Sequence, residues 1–230
     1  MPAAKAPALP PPAPGTPRRS SGEQAARYIR RLIFDGVLRP GQRVPQDLVA
    51  QTLGVSRIPV REALIALERE GWITIQLHRG AFINTISVDS VRDHYALYGL
   101  IYGFAVRRAL ERGSLDFPER LGKVADALVA AESEDAVSQR SIEFHNLVLA
   151  EAGNRRIGSS IRALSALVPG SFFVEVPDAV PAQKRGISAI ARAVKARDAD
   201  RAAAGYERVM RQVGEQVVDL FEARGLFGAS

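Results

Sequence analysis

Residues 53–64, with the sequence LGVSRIPVREAL, decide how the first third of the chain folds. Gly54 tolerates the positive φ that ends a helix, and Ser56 can cap the N-terminus of the next one. Pro59 then falls in the first helical turn, where its missing N–H costs no hydrogen bond. The apolar residues that follow have helical spacing: Val60, Ala63, Leu64 and Leu67. Two helices joined by a tight glycine turn form a helix-turn-helix, which is the fold this stretch predicts.

The segments on either side complete a small domain. Helical spacing of apolar residues predicts one helix over residues 24–34 and another over residues 46–53. Residues 72–77 alternate apolar and polar side chains, and a second apolar run follows at residues 81–86. The basic stretch between them contains a glycine, so the pattern predicts a β-hairpin with a basic tip. We therefore expect a winged helix-turn-helix domain over residues 21–86.

The net charge of +6 is confined to the first part of the chain. Residues 1–86 contain 12 of the 31 Lys and Arg residues but only 6 of the 25 Asp and Glu residues, which leaves 19 of each sign in residues 87–230. A basic module joined to a neutral one is typical of a nucleic-acid-binding domain with an attached regulatory domain. On charge alone, a basic surface that serves only solubility, a membrane surface and an acidic partner are alternatives.

Arg57 and Arg61 lie four residues apart, so they share one face of the third predicted helix. Cations in a first helical turn oppose the helix dipole by about a few tenths of a kcal/mol each. A phosphate or a guanine edge bound there would turn this cost into binding energy. The alternative is that both side chains are solvated or paired with Asp47 or Glu62.

His78 and Arg79 lie at the tip of the predicted hairpin, next to Gly80. A basic tip can enter a minor groove or contact phosphates, and a glycine keeps it narrow enough to approach the DNA backbone. For His78, an exposed loop residue without a DNA contact is an equally good interpretation.

Four stretches with fixed spacing resemble the GntR family of bacterial regulators. They are GVLRPGQRV at residues 36–44, LGVSRIPVREAL at 53–64, GWI at 71–73 and RGAFI at 79–83. The resemblance implies that Arg61 reads a guanine and that the residues around Gly80 form the wing. Ile58 departs from the small polar residue usual in the family, which puts one phosphate or base contact in doubt. The residues expected to face DNA are Arg43, Ser56, Arg57, Ile58, Arg61, His78, Arg79 and Gly80.

From residue 88 onward the apolar periodicity is helical throughout. Glycine and proline breaks separate six predicted helices, at residues 91–110, 119–131, 134–152, 157–168, 183–196 and 199–222. With EFHNL at residues 143–147 and EAGN at 151–154, this order looks like the FadR subfamily of GntR regulators. The resemblance implies a bundle that dimerises and encloses an effector cavity. We therefore expect a mainly α protein, a winged helix-turn-helix with a small β-hairpin wing followed by an all-α six-helix bundle over residues 87–230.

Many bundles of this subfamily bind a divalent metal through one Asp and three His, and this sequence lacks most of that set. The Asp position is Ser141, His145 is retained, and the other two His positions fall at Ile187 and Val209. One imidazole and one hydroxyl cannot hold zinc or nickel, which take three or four strong ligands. We therefore expect no metal and no other cofactor.

His145 has two interpretations: a remnant side chain hydrogen-bonded inside the bundle, or an effector contact. Tyr98 and Tyr102 occupy positions where the subfamily commonly has Arg and Glu. They are either ordinary aromatic core or the lining of an apolar cavity, which would suit a fatty, aromatic or acyl-type effector better than a small hydroxy acid. Arg162 could add one anion contact. The expected effector site thus comprises Tyr98, Tyr102, Ser141, His145 and Arg162.

Composition narrows the class of protein further. The Pro- and Ala-rich residues 1–20 are expected to form a disordered tail, because they cannot bury enough apolar surface. Residues 96–106 are the most apolar stretch, but they have about half the length that a membrane span needs. The sequence has no cysteine. We therefore expect a cytoplasmic protein without disulfides or membrane association.

The leading hypothesis is a homodimeric transcriptional regulator, a repressor rather than an activator, that binds a palindromic DNA operator and responds to a small-molecule effector in its bundle. One alternative is an architectural DNA-binding protein that is indifferent to sequence. Another is a regulator whose bundle only dimerises. An enzyme is not expected, because the sequence presents no nucleophile and base pair, phosphate loop or metal cluster.

Overall fold

The computed structural model describes residues 9–10, 20–164, 173, 176 and 178–227. The chain divides into two compact units, residues 1–87 with 221–230, and residues 88–220. Most of the tail predicted over residues 1–20 lies outside the described residues, as does the end of the helix predicted over residues 157–168.

The first unit contains three helices followed by an antiparallel hairpin. In chain order these are α1 (Ser21–Phe34), α2 (Gln46–Leu53), α3 (Arg57–Arg69), β1 (Ile73–Gln76) and β2 (Gly80–Ile83). They confirm the predicted winged helix-turn-helix. α1 begins three residues earlier than the apolar periodicity indicates, because the Oγ of Ser20 accepts a hydrogen bond from the N–H of Glu23.

The turn between α2 and α3 follows the sequence prediction. Gly54 has φ 65°, and its N–H donates to the carbonyl groups at the end of α2. The apolar faces of the three helices then meet in one core, where the innermost side chains are fully buried: Ile29, Leu32, Val49, Val60 and Leu67. This core fixes α3 with its polar face toward solvent.

The hairpin is tied to the loop before α2. Its strands pair with Ile73 opposite Ile83 and Gln76 opposite Gly80. The N–H of Val44 donates to the carbonyl of Ala81 at 2.8 Å, so residues 41–44 run along β2. The loop before α2 therefore lies beside the wing.

Residues 221–227 complete the core of the first unit. The ring of Phe221 lies 5.5 Å from that of Phe34, and Leu226 is buried. Arg224 donates from Nη1 to the main-chain oxygen of Phe34 at 2.8 Å. The sequence assigns these residues to the helical domain expected over residues 87–230, whereas the structure groups them with the first unit.

The second unit is all-helical, as the sequence predicts. Its helices are α4 (Val88–Arg112), α5 (Phe117–Ala130), α6 (Glu134–Glu151), α7 (Arg155–Leu164), α8 (Ala179–Lys195) and α9 (Ala199–Ala223), the last of which ends in the first unit. The greatest difference from prediction is at the start of α8, which begins at residue 179 instead of 183. Asp178 takes a left-handed conformation, and Pro181 is accommodated in the first turn.

Small residues let α9 approach α4 closely. A Cβ on Gly103 would lie 3.3 Å from the Cβ of Ala203, and one on Gly99 would lie 3.0 Å from the Cα of Glu207. This close approach brings the tyrosines of α4 against Tyr206 of α9.

Candidate nucleic-acid interface and effector site

An open groove on the first unit brings together three arginines. It has a volume of about 680 Å³ and is lined by the loop before α2, by α2 and by the start of α3. The lining side chains that can bind phosphate or base edges are Arg43, Gln46, Gln51, Arg57 and Arg61. The groove is thus a basic concave surface at the N-terminal end of α3.

Arg57 is ion-paired within this groove. Its Nε lies 2.7 Å from Oδ1 of Asp47, and the two side chains are 66% and 70% exposed. An ion pair this exposed contributes about 0–1 kcal/mol, so a phosphate can compete for Arg57. Pairing with Asp47, one of the alternatives from the sequence, is therefore observed for Arg57. Arg61 is exposed and forms no ion pair with any residue that the structure describes.

The start of α3 also exposes groups that are not charged. Ser56 occupies the N-cap position, but among residues 20–164 its hydroxyl makes no capping hydrogen bond. Ile58 is 68% exposed, and Ile65, seven residues further on, is 47% exposed on the same face. Together with Arg61 between them, these side chains form a mixed polar and apolar surface.

The wing tip is a three-residue loop. His78 has φ 59°, Gly80 has φ 107°, and both His78 and Arg79 are exposed. The guanidinium of Arg79 lies 5.8 Å from the ring centre of Phe82. A Cβ on Gly80 would lie 2.6 Å from Nε of Arg43, so the glycine leaves room for this guanidinium beside the tip of the wing.

In the second unit, four rings form a continuous aromatic cluster: Tyr98, Tyr102, His145 and Tyr206. Tyr102 is central, stacked on Tyr206 with ring centres 5.0 Å apart and planes 7° apart. It meets Tyr98 edge-on at 5.1 Å and the imidazole of His145 at 4.8 Å. Two of the five residues expected at the effector site, Tyr98 and Tyr102, therefore lie together with a third, His145.

Two polar atoms in this aromatic cluster are buried without a partner. Among the described residues, neither Nδ1 of His145 nor the hydroxyl of Tyr206 has a hydrogen-bond partner. Burial lowers the pKa of His145 to about 4, so its imidazole is neutral at pH 7. Burial likewise raises the pKa of Tyr98, Tyr102 and Tyr206. The cluster is therefore uncharged at neutral pH, and the hydrogen-bonded remnant expected for His145 is not observed at Nδ1.

The other two predicted effector residues have different surroundings. Ser141 is buried, donates to the carbonyl of Val137 at 2.8 Å and accepts from Nε2 of Gln183 at 3.2 Å. Arg162 is exposed on α7, and its Nη2 donates to Oγ of Ser159 at 3.1 Å. Arg162 is therefore not one of the side chains that form the aromatic cluster, and its expected anion contact stays a prediction.

Comparison with known proteins places both units in one family. A model described as "Bacterial regulatory proteins, gntR family" matches residues 21–83, and the FCD domain model matches residues 93–212. The chain belongs to the GntR family of bacterial transcriptional regulators. It is 32% identical, over 209 residues, to an uncharacterised HTH-type transcriptional regulator of Mycobacterium tuberculosis, covering 89% of this chain and 84% of that one. It is 26% identical to the HTH-type transcriptional repressor RspR of Escherichia coli K12, covering 87% and 90%.

Solved structures share the fold of this GntR regulator. Escherichia coli McbR/YncC superposes with a TM-score of 0.63 at 17% identity, over 90% of this chain and 99% of that one. A GntR regulator from Rhodococcus sp. RHA1 gives 0.57 at 23% identity, over 86% and 97%. The winged helix-turn-helix and FCD architecture is therefore shown for this chain.

The residues of this FCD domain do not fit the metal that its subfamily resemblance implies. Ser141 already donates to a main-chain carbonyl, and Ile187 and Val209 are buried apolar side chains. No group of three His, Cys, Asp or Glu residues that could hold a metal ion occurs in the described part of the chain. His145 is the sole imidazole in the aromatic cluster among the described residues, so we derive no metal-dependent step.

Sequence reasoning missed three residues of these sites. Gln46 and Gln51 line the groove and can pair with adenine, but exposed glutamines on a short helix carry no distinctive signal. Tyr206 was predicted as part of a packed helical seam, and its stacking on Tyr102 could not be predicted from one helix alone.

In the described residues no helix combines the length and hydropathy of a membrane span.

Proposed function

We propose that this regulator represses transcription by binding a palindromic operator as a dimer, with α3 in the major groove and the wing on the adjacent DNA backbone. The observation that supports this best is the groove in which Arg43, Arg57 and Arg61 converge at the N-terminus of α3. Such a protein acts on the chromosome, so we expect it in the cytoplasm, and we expect no catalytic turnover.

The surroundings of the arginines suggest distinct roles. Arg61 projects from α3 without an ion pair among the described residues, which suits bidentate recognition of a guanine. Arg57 is paired with Asp47, which suits a contact in which a DNA phosphate replaces the carboxylate of Asp47. Arg43 lies beside Gly80 and Arg79 lies at the tip of the wing, and we expect both to contact phosphates.

The test is a comparison of matched arginine variants on two DNAs. A binding site is first selected from random duplexes, and affinity is then measured on that site and on unrelated DNA at fixed salt. Arg61→Ala is expected to cost about 1–3 kcal/mol on the selected site and much less on unrelated DNA. Arg69→Ala, at the other end of α3, is the matched control and should change neither. Equal losses on both DNAs for Arg61→Ala would indicate the architectural alternative instead.

For the FCD domain we propose an effector that binds at the aromatic cluster. The two unpartnered polar atoms suit a ligand that offers a hydrogen-bonding group on an apolar, aromatic or acyl body. The absence of a cation from this cluster, within the described residues, argues against a small carboxylate. Mass spectrometry of small molecules that copurify with the protein tests this. A protein that carries none, and that no such compound stabilises, would be a regulator whose bundle only dimerises.

A further inference from the structure

The tip of the wing exposes a leucine. Leu77 is 83% exposed, although leucine is among the residues most often buried in folded proteins. Ile73 and Ile75 share one face of β1, and Leu77 follows at the same spacing of two residues. The exposed fraction rises along this row from 1% through 38% to 83%, from the core of the first unit to the tip. A single exposed leucine is ordinary on a protein surface, so its neighbours decide what it can contact.

The neighbours of Leu77 are basic and include no acid. His78 and Arg79 are exposed next to it, and the guanidinium of Arg43 lies beside the tip. Residues 71–88 contain no Asp or Glu. Cations around an apolar side chain are complementary to duplex DNA, in which anionic phosphates border base pairs that stack through apolar faces. Charge therefore favours DNA over a neutral apolar partner as the molecule that covers this leucine.

Hydrogen bonds hold the wing in place beneath the tip. The N–H of Arg79 donates to the carbonyl of Gln76 at 3.1 Å and closes the tip loop. The N–H of Ile75 donates to Oε1 of Glu68, on α3, at 2.7 Å, and residues 41–44 run along the other strand. A side chain on such a fixed support loses little conformational entropy when it enters a binding site.

The minor groove of B-DNA is narrow for this tip. It is about 6 Å wide, whereas two paired strands lie about 4.8 Å apart before their side chains are counted. An apolar side chain inserted between base pairs unstacks them and bends the duplex toward the major groove, and leucine is one of the side chains that minor-groove-binding proteins use in this way. Such a bend widens the minor groove, so insertion of Leu77 would make room for the rest of the tip.

We propose that Leu77 is a wedge, which enters the minor groove beside each operator half-site and separates two stacked base pairs while Arg43 and Arg79 bind the flanking phosphates. The wedge rests on the proposed function and adds a means of recognition that the arginines of the groove do not supply. Unstacking costs least at the flexible pyrimidine–purine steps TA and CA/TG. The regulator therefore prefers such a step under the wing, although no side chain reads a base edge there by hydrogen bonding.

The test uses 2-aminopurine, a base that fluoresces more strongly when it is unstacked. It is placed at successive positions of a site selected from random duplexes, and the full chain is added to saturation. The wild type should raise the fluorescence at one step beside each half-site, and Leu77→Ala should abolish that rise. Leu77→Met keeps a long apolar side chain and should retain it. Arg79→Ala should bind more weakly but retain the rise at saturation, because it removes a phosphate contact and not the wedge.

Affinity measurements on the same site check the preference for a flexible step. Replacing that step with a stiff AA step should weaken binding of the wild type about tenfold, but binding of Leu77→Ala by less than about threefold. Leu115→Ala, at a leucine of the second unit that is 85% exposed, is the matched control and should respond as the wild type does. Both leucines are exposed, so neither variant should change the thermal unfolding of the protein, and that measurement checks that both are folded.

A wild type that raises the fluorescence at no position, or a rise that Leu77→Ala retains, would overturn the wedge. These results are distinguishable from a failure of the proposed function. A protein that selects a DNA site but unstacks no base would reject only the wedge. A protein that selects no site, yet unstacks bases in unrelated duplexes through Leu77, would reject only the operator-binding function.

Discussion

The groove of the first unit and the aromatic cluster of the second hold their polar groups under opposite conditions. In the groove, Arg57 and Asp47 are paired but mostly exposed, so water screens their interaction and a ligand can replace either partner. In the cluster, the polar atoms of His145 and Tyr206 are buried and unpaired. Substitutions in the groove should therefore change DNA affinity with little change in stability, whereas substitutions that empty space in the buried cluster should lower stability.

The largest expected effect tests the cluster at Tyr206, whose side chain is fully buried. Tyr206→Ala should lower the free energy of unfolding by about 3–5 kcal/mol, because it leaves a cavity the size of a ring. Tyr206→Phe removes only the unpartnered hydroxyl and should be neutral or stabilising by about 1 kcal/mol. Urea denaturation measures both.

Tyr28 provides the matched control in the first unit, because its hydroxyl donates to the carbonyl of Pro10 at 2.5 Å. Tyr28→Phe should therefore cost about 1 kcal/mol, opposite in sign to Tyr206→Phe. The same sign for both substitutions would mean that the hydroxyl of Tyr206 has a partner in solution.

The second prediction concerns acid. Burial lowers the pKa of His145 from 6.5 to about 4, so below pH 6.5 the unfolded chain binds a proton that the folded chain does not. The free energy of unfolding should therefore fall between about pH 6.5 and pH 4, by about 3 kcal/mol in all. Burial also lowers the pKa of His94, which adds to the loss with the same sign.

The measurement is the free energy of unfolding as a function of pH, for the wild type and for His145→Phe. The variant has no imidazole at this position and should show a shallower decline. Identical profiles would show that position 145 is hydrated or partnered in solution.

A third, smaller effect is expected in the groove. Asp47→Asn removes the anion that pairs with Arg57. It should raise DNA affinity by about 1 kcal/mol, and the dependence of that affinity on salt concentration should become steeper by about one released counterion. Stability should change by less than about 0.5 kcal/mol, since the pair is exposed. Asp35→Asn removes the same charge from the first unit outside the groove and should leave DNA binding unchanged. A large loss of stability in Asp47→Asn would contradict the contrast between the two sites.

The smallest effect concerns Ile58, which exposes an apolar side chain beside Arg61. We expect it to contact a thymine methyl group, so replacing that thymine with uracil in a selected site should cost the wild type about 0.5–1 kcal/mol. In Ile58→Ser the same base change should cost nothing, while Val37→Ser, at an exposed apolar side chain between α1 and α2, keeps the wild-type response. Uracil scanning of the selected site measures this, and a wild type that is insensitive at every thymine would rule the contact out.

More of the first unit than of the second could be predicted from the sequence, because the signals for its turns lie within short stretches of chain. Gly54 and Ser56 mark their turn by residue type, so the bounds predicted for α2 coincide with the observed helix. The pairing of Arg57 with Asp47 and the stacking of Tyr102 on Tyr206 depend on how separate helices meet, which periodicity within one helix does not contain. The start of α8 was predicted too late, at residue 183 instead of 179. A proline such as Pro181 is compatible both with a break between helices and with the first turn of a helix.

The packing of residues 221–227 against α1 has a consequence for the order in which the protein is made. Arg224 and Phe34 are 190 residues apart in the chain, so α2, α3 and the whole FCD domain are synthesised before the contact can form. Until then Phe34 lacks its contact with Phe221. Formation of this contact closes a very long chain loop, which carries an entropic cost. Until residues 221–227 have been synthesised, the core of the first unit therefore lacks the side chains of Phe221 and Leu226.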